Sequence, residues 1–220
     1  MRRRLPFLIV VVVAVTAVSS GVALFRAKRG SVSPLKSPGA SKESVADSTH
    51  ALGPADAAVT VEEFGDFQCP PCGKLAEPIN ELQKQYNLRV IFREFPLPMH
   101  QHAREAALAA EAAALQGRFW EMHDLLYREQ AVWSKSTDAP ALFNAYAGML
   151  GLDIARFRRD VESDEVKEHV ALDQRRGALI GVQTTPTIFL NNRAIPSNAL
   201  NATDLRTEVA GAVKNARPSS

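Results

Sequence analysis

Apolar positions along the chain first gather in one uncharged run, residues 5–25, bracketed by Arg2, Arg3 and Arg4 in front and by Arg26, Lys28 and Arg29 behind. As a helix, these 21 residues would reach roughly 31 Å, matching the hydrocarbon thickness of a bilayer. The run has no polar face, which argues against a buried core helix. It is longer than the apolar region of a secretory signal, and the basic cluster behind it reads as a stop. We therefore expect a single transmembrane anchor over residues 1–29, with secretion after signal cleavage as the alternative. Apolar residues then nearly vanish over residues 30–53, where Ser, Gly, Pro and Lys dominate and a flexible linker is expected.

Beyond residue 54 the pattern acquires two periods. Over residues 57–64, Val59 and Val61 alternate with Thr60 and Glu62, which predicts a strand. Over residues 71–86, Leu75, Ile79 and Leu82 recur at helical spacing, with proline tolerated in the first turn. A second apolar segment, 88–95, ends at Pro96 and Pro98. Strand, helix and strand with short joins form a βαβ unit with parallel strands. A long helical stretch follows over residues 101–180, beginning with an Ala-rich segment and including a helix capped by Asp153. Residues 187–190 and 193–195 predict a hairpin around Asn191-Asn192, and residues 203–215 a last amphipathic helix. The order is βαβ, a helical block, then ββα. This is an α/β domain over residues 54–217 with a helical insertion at about 99–180.

Charge changes the picture little but excludes one class. Residues 1–53 hold 8 of the 26 Lys and Arg and 2 of the 24 Asp and Glu, so the remainder carries a mild acidic excess. A domain without a basic stripe is not built for nucleic acid. Basic residues on both sides of the apolar run nearly cancel, so charge does not decide which side of the membrane the domain occupies.

The candidate chemistry lies in Cys69-Pro70-Pro71-Cys72, the chain's 2 cysteines. A bridge closing so small a loop adds little stability, so a structural disulfide is disfavoured. Zinc needs four ligands, and no second pair or suitably spaced histidine is present, so no metal or other cofactor is expected. At a helix N-terminus, unpaired N–H groups and the helix dipole favour a Cys69 thiolate, with Cys72 one turn in and able to resolve a mixed disulfide. Glu63 shares a strand face with Val59 and Val61. A buried carboxyl there would exchange protons near neutral pH, whereas a solvated one at the strand end would do nothing. Thr184-Thr185-Pro186-Thr187 precedes a strand, and nothing local requires its proline to be cis.

The run from Val61 to Cys72 resembles the active-site segment of the DsbA-like branch of the thioredoxin superfamily. Phe95-Pro96-Leu97-Pro98-Met99-His100, Phe119-Trp120-Glu121-Met122-His123-Asp124 and Gly181-Val182-Gln183-Thr184-Thr185-Pro186-Thr187 follow in that family's order. The resemblance implies a thioredoxin fold with a helical insertion. It makes Cys69 the nucleophile, Cys72 the resolving cysteine, Glu63 the buried acid and Pro186 a cis-proline facing the disulfide. Thr185 would offer its backbone to an extended substrate, beside Pro70 and Pro71. It further implies exported protein thiols as substrates, a quinone-linked membrane reoxidase as partner, and an extracytoplasmic, periplasmic domain. One departure concerns tuning. Pro71 removes an N–H that could face Cys69, and the imidazole of the family's strongest oxidant is missing, so a pKa below that of a free thiol but above that member's is expected. A reductase or isomerase on the same fold stays open, as does a Cu(I) chaperone gripping the metal through both sulfurs.

Overall fold

The computed structural model describes residues 50–196 and 200–216. The expected anchor at residues 1–29 and most of the linker lie outside them. No helix among the described residues is long and apolar enough to cross a membrane.

A five-stranded sheet organises the domain. Its strands are β1 (Ala51–Leu52), β2 (Thr60–Gly65), β3 (Arg89–Glu94), β4 (Thr187–Leu190) and β5 (Arg193–Ala194). They lie in the order β1-β3-β2-β4-β5. Strands β2 and β3 run parallel, as the βαβ pattern requires, and every other neighbouring pair is antiparallel. The helix joining β2 to β3 is α1 (Pro70–Tyr86), which places Leu75, Ile79 and Leu82 in the core and ends on Asn87 in the left-handed region, φ 52°. Asn191 and Asn192 both take positive φ, the geometry of a tight primed turn between β4 and β5.

Between β3 and β4 lie six helices: α2 (Ala103–Ala114), α3 (Phe119–Arg128), α4 (Gln130–Trp133), α5 (Ala139–Met149), α6 (Ile154–Val161) and α7 (Asp164–Leu179). The last helix is α8 (Ala202–Ala216). Asp153 accepts from the Arg156 N–H and starts α6, as its position before an apolar turn suggested. Alanines 106, 107, 109, 110, 112 and 113 are all buried. Their small side chains let α2 serve as the central rod of the insertion, packed on several sides at once.

Two cores result. Val61, Leu75, Ile79, Val90, Ile188, Leu205 and Val209 fill the space between the sheet, α1 and α8. Phe67, Cys72, Phe92, Met122, Leu126 and Trp133 join the active end of the sheet to the insertion.

Two features differ from the sequence expectation. Residues 50–52, assigned to the linker, belong to the fold. Ala51 and Leu52 pair with Ile91 and Val90, and the buried His50 stacks on Phe119 at 3.6 Å and bonds Glu111 at 2.7 Å. A two-residue edge strand has no period to read, so its pairing is settled by β3 rather than by its own sequence. The second is Glu62. Alternation put it on the polar side of β2, yet that side is also covered, by α7. Glu62 is buried there against Arg93 at 2.9 Å and Arg176 at 3.1 Å.

Candidate active site

The carbonyl end of β2 delivers the chain into a turn built on Asp66, and the turn delivers Cys69 to the start of α1. Asp66 is fully enclosed. Its carboxylate accepts from the Gln68 N–H at 2.7 Å, the Leu97 N–H at 2.8 Å and His100 Nδ1 at 2.7 Å, and its carbonyl accepts from the Cys69 N–H. One short acid thereby ties the turn to the loop after β3.

Cys69 occupies the N-cap of α1 with extended backbone, and the next two residues are the prolines. Neither proline has an N–H, so the first free amide inside the helix belongs to Cys72. Cys69 and Cys72 are both free thiols here. The Cys69 thiol is lowered from its ordinary 9.0 to about 6. Hydrogen bonding from the Cys72 thiol is the main cause, and Thr185 and the Cys72 N–H add to it against the opposing effects of burial and Asp66. Cys72 is pushed far the other way, first by burial and then by its bond to Cys69 and the charges of Glu63 and Cys69. One sulfur is thus prepared to be an anion and the other to hold a proton.

Across the site, Thr185 and Pro186 are joined by a cis peptide bond, and the Cys69 thiol donates to the Thr185 carbonyl at 3.3 Å. These residues come from the loop between α7 and β4. That places Pro186 beside the cysteine pair, along with Pro70 and Pro71, which are exposed at the rim. Glu63 is buried on the same sheet face as Val61, and its Oε1 has no hydrogen-bond partner among the described residues. Burial, with the nearby Cys69 charge, raises its carboxyl from 4.5 to about 8, so at neutral pH it holds a proton.

Several residues that shape the site carry no motif. Gln130, from α4, donates through Nε2 to the carbonyls of Phe67 at 2.6 Å and Cys69 at 3.0 Å. Gly73 leaves room for it, since a Cβ there would stand 3.1 Å from the Gln130 Oε1. Gln68 bridges outward, accepting from the His102 N–H at 2.6 Å and donating to the Ser134 carbonyl. His123 is buried among Phe67, Phe92, Trp120 and Tyr127, and burial lowers its pKa, so it is a neutral packing ring. His100 serves Asp66. A glutamine sixty residues from a cysteine gives no local signal; only the packing of α4 on the turn reveals it.

Comparisons with known proteins agree with this geometry. The thioredoxin family model matches residues 45–209. The chain is 42% identical over 149 residues to the Na(+)/H(+) antiporter NhaA 1 of Salinispora arenicola, a match covering 67% of this chain but 22% of that protein. The chain therefore spans about a fifth of the length of such a curated relative. Among solved structures it is similar to oxidised BdbD from Bacillus subtilis, at 25% identity and TM-score 0.64, covering 74% of this chain and 92% of that one. A thioredoxin-like oxidoreductase from Silicibacter pomeroyi gives 28% identity and TM-score 0.64, covering 80% and 96%.

Proposed function

Because this chain belongs to the DsbA-like thiol–disulfide oxidoreductases of the thioredoxin superfamily, we propose that it oxidises cysteine pairs in exported proteins through a Cys69–Cys72 disulfide. The observation that carries the reading is the opposed tuning of the two sulfurs, with Cys69 held towards the thiolate and Cys72 towards the thiol. A stable Cys69 thiolate lowers the free energy of the reduced protein, which makes its disulfide the stronger oxidant.

The exchange proceeds in two displacements. A substrate thiolate attacks Cys69 Sγ, the S–S bond breaks, and Cys72 leaves with the electron pair. Glu63 donates its proton to the Cys72 sulfur. A second substrate thiolate then attacks the substrate sulfur of the mixed disulfide and expels Cys69 as thiolate. Two electrons have passed from the substrate pair to Cys69 and Cys72, and the substrate holds a new disulfide. Thr185 and Pro186 flank the sulfur on one side, where an extended substrate strand would lie, with Pro70 and Pro71 bordering the approach.

The apolar run at residues 5–25 supports a membrane-anchored protein with its domain on the extracytoplasmic side, since protein disulfides persist in oxidising compartments. Regeneration then calls for a membrane partner that passes electrons to quinone. The test is covalent capture. With Cys72→Ser, mixed disulfides should accumulate between Cys69 and exported proteins. Finding none, while the wild-type pair cycles between oxidised and reduced forms, would overturn the oxidase reading and leave a reductase.

A further inference from the structure

The single helical turn α4 is held against the turn that carries Cys69 from both of its ends. At its start, Gln130 donates to the carbonyls of Phe67 and Cys69. Just past its end, the Ser134 carbonyl accepts from the Gln68 side chain at 3.3 Å. The bonded run continues beyond, with the Ser134 N–H on the Gln130 carbonyl and the Ser136 N–H on the Trp133 carbonyl. His102, buried where α2 begins, closes this assembly. Its backbone N–H donates to Gln68 Oε1 at 2.6 Å, and its ring Nε2 lies 3.0 Å from the Ser136 carbonyl. The other ring nitrogen, Nδ1, lies 2.7 Å from Glu105 Oε2. A backbone carbonyl and a carboxylate can only accept. Both ring contacts are therefore hydrogen bonds only when both ring nitrogens carry hydrogen, which makes the ring an imidazolium. A neutral ring keeps one of them. The bond to the charged Glu105 is the stronger, so Nδ1 keeps its hydrogen and the Ser136 carbonyl loses its donor.

We propose that His102 is a positioning residue for Cys69: its doubly protonated ring pins α4 and Gln68 against the Cys69 turn, and loss of the Nε2 proton slackens them. The inference rests on the Cys69–Cys72 exchange described above, in which Cys69 is the sulfur attacked. Cys69 is favoured as thiolate by bonds to Cys72 and Thr185, and these depend on where its turn stands. Slackening the turn weakens them. The two ionisations are thereby linked: a protonated His102 favours the Cys69 thiolate, and by reciprocity the thiolate favours a protonated His102. The charged group bonded to the ring is Glu105, from α2 itself. The turn faces His102 with the neutral Gln68 amide, and the segment after α4 faces it with the Ser136 carbonyl, Lys135 being exposed. His100, just upstream, is bonded to Asp66 instead.

The test uses the reduced full-length protein in detergent micelles. Long-range proton–nitrogen NMR distinguishes a charged imidazole from either neutral form, and the His102 signals are those absent in His102→Gln. The neutral form reached as pH rises should carry its hydrogen on Nδ1. A neutral ring with its hydrogen on Nε2 would keep the Ser136 bond and overturn the proposal. His102→Gln should raise the iodoacetamide midpoint of Cys69 by about half a pH unit, roughly threefold in the thiolate equilibrium. Cys69→Ser should lower the midpoint of the His102 ring by the same amount, a shift that a histidine serving only to pack does not show. Gln68→Met combined with Gln130→Met keeps the ring but cuts both connections to the turn, so both shifts should vanish in that background. Shifts that persist there would mean that the ring charge acts through space. An unmoved Cys69 midpoint in His102→Gln would mean that the ring only packs. Either result overturns the proposal. If the double variant fails to fold, Gln68→Met alone should shrink both shifts, and undiminished shifts count against the connection. None of these readings needs a substrate. The linkage found in a protein that forms no mixed disulfides would sink the oxidase reading and leave the role of His102 standing.

Discussion

Gln130 and Cys69 are 61 positions apart and are joined by a hydrogen bond of 3.0 Å from the glutamine amide to the cysteine carbonyl. The same carbonyl receives the Gly73 N–H at 3.2 Å. The first turn of helix α1 is therefore fastened to the helical insertion at Cys69. The insertion does more than cover the sheet: it sets the position of Cys69.

That clamp predicts a double-mutant cycle. Gln130→Ala leaves the partly buried carbonyl of Phe67 without its amide donor and should cost about 1–2 kcal/mol in urea unfolding of the reduced protein. Gly73→Ala should gain little in the wild type, because its Cβ presses on Gln130. In the Gln130→Ala background it should stabilise by the usual helix increment, about 1 kcal/mol. Equal effects in the two backgrounds would show that the residues are not coupled.

The opposed tuning of the sulfurs predicts a clean separation in reactivity. Alkylation of reduced protein by iodoacetamide should modify Cys69 with a rate midpoint near pH 6, the value to which its thiol is lowered, while Cys72 stays unmodified in the folded state. A Cys69 midpoint near 9 would contradict the site as described. By linkage, this depressed pKa stabilises the reduced fold above the ordinary thiol range, and the gain is lost as pH falls through about 6.

Glu63 works in the opposite sense. Its folded pKa of about 8 lies above the ordinary 4.5, so the stability it contributes as an acid is full below 4.5 and is lost as pH rises through 8. Replacing it with glutamine should leave stability unchanged in acid and raise it progressively towards pH 8, by a few kcal/mol at most. The same variant should slow disulfide exchange. Greater stability with lower activity is the signature of an acid kept for chemistry.

On the opposite face of the sheet, Arg93 bonds Glu62 and Asp173, each at 2.9 Å. Arg93→Met should cost about 3 kcal/mol at neutral pH, because Asp173 is left buried without a counter-charge while Glu62 retains Arg176. Asp173 already sits above its ordinary pKa because of burial. The loss should therefore shrink as pH falls and Asp173 takes up a proton. Thermal unfolding across pH would check this, and a pH-independent loss would point to packing instead.

The order of elements and the candidate cysteine pair were legible because both follow from local geometry. Leu75, Ile79 and Leu82 declare a helix by their spacing, Asn191-Asn192 declares a turn by tolerance of positive φ, and two cysteines two residues apart at a helix start declare thiol chemistry. Alternation along β2 placed Glu63 on its face but could not say whether water reached it. Burial depends on what is packed over the strand, and α1 covers one face while α7 covers the other. For the same reason alternation did not show that Glu62 is buried, and β1 was invisible until β3 offered it an edge.

What remained for the tertiary structure was the relations that no motif carries: Gln130 on the active-site turn, His50 on Glu111, the Phe92 ring in the space that Gly65 leaves. The chain by itself determined which groups can react, since helix, strand and turn preferences act over a few residues and water is their common surrounding. The packed fold alone decided how acidic each group is and what it touches, because removing water and closing long loops changes the energy of a charge far more than any neighbour in sequence.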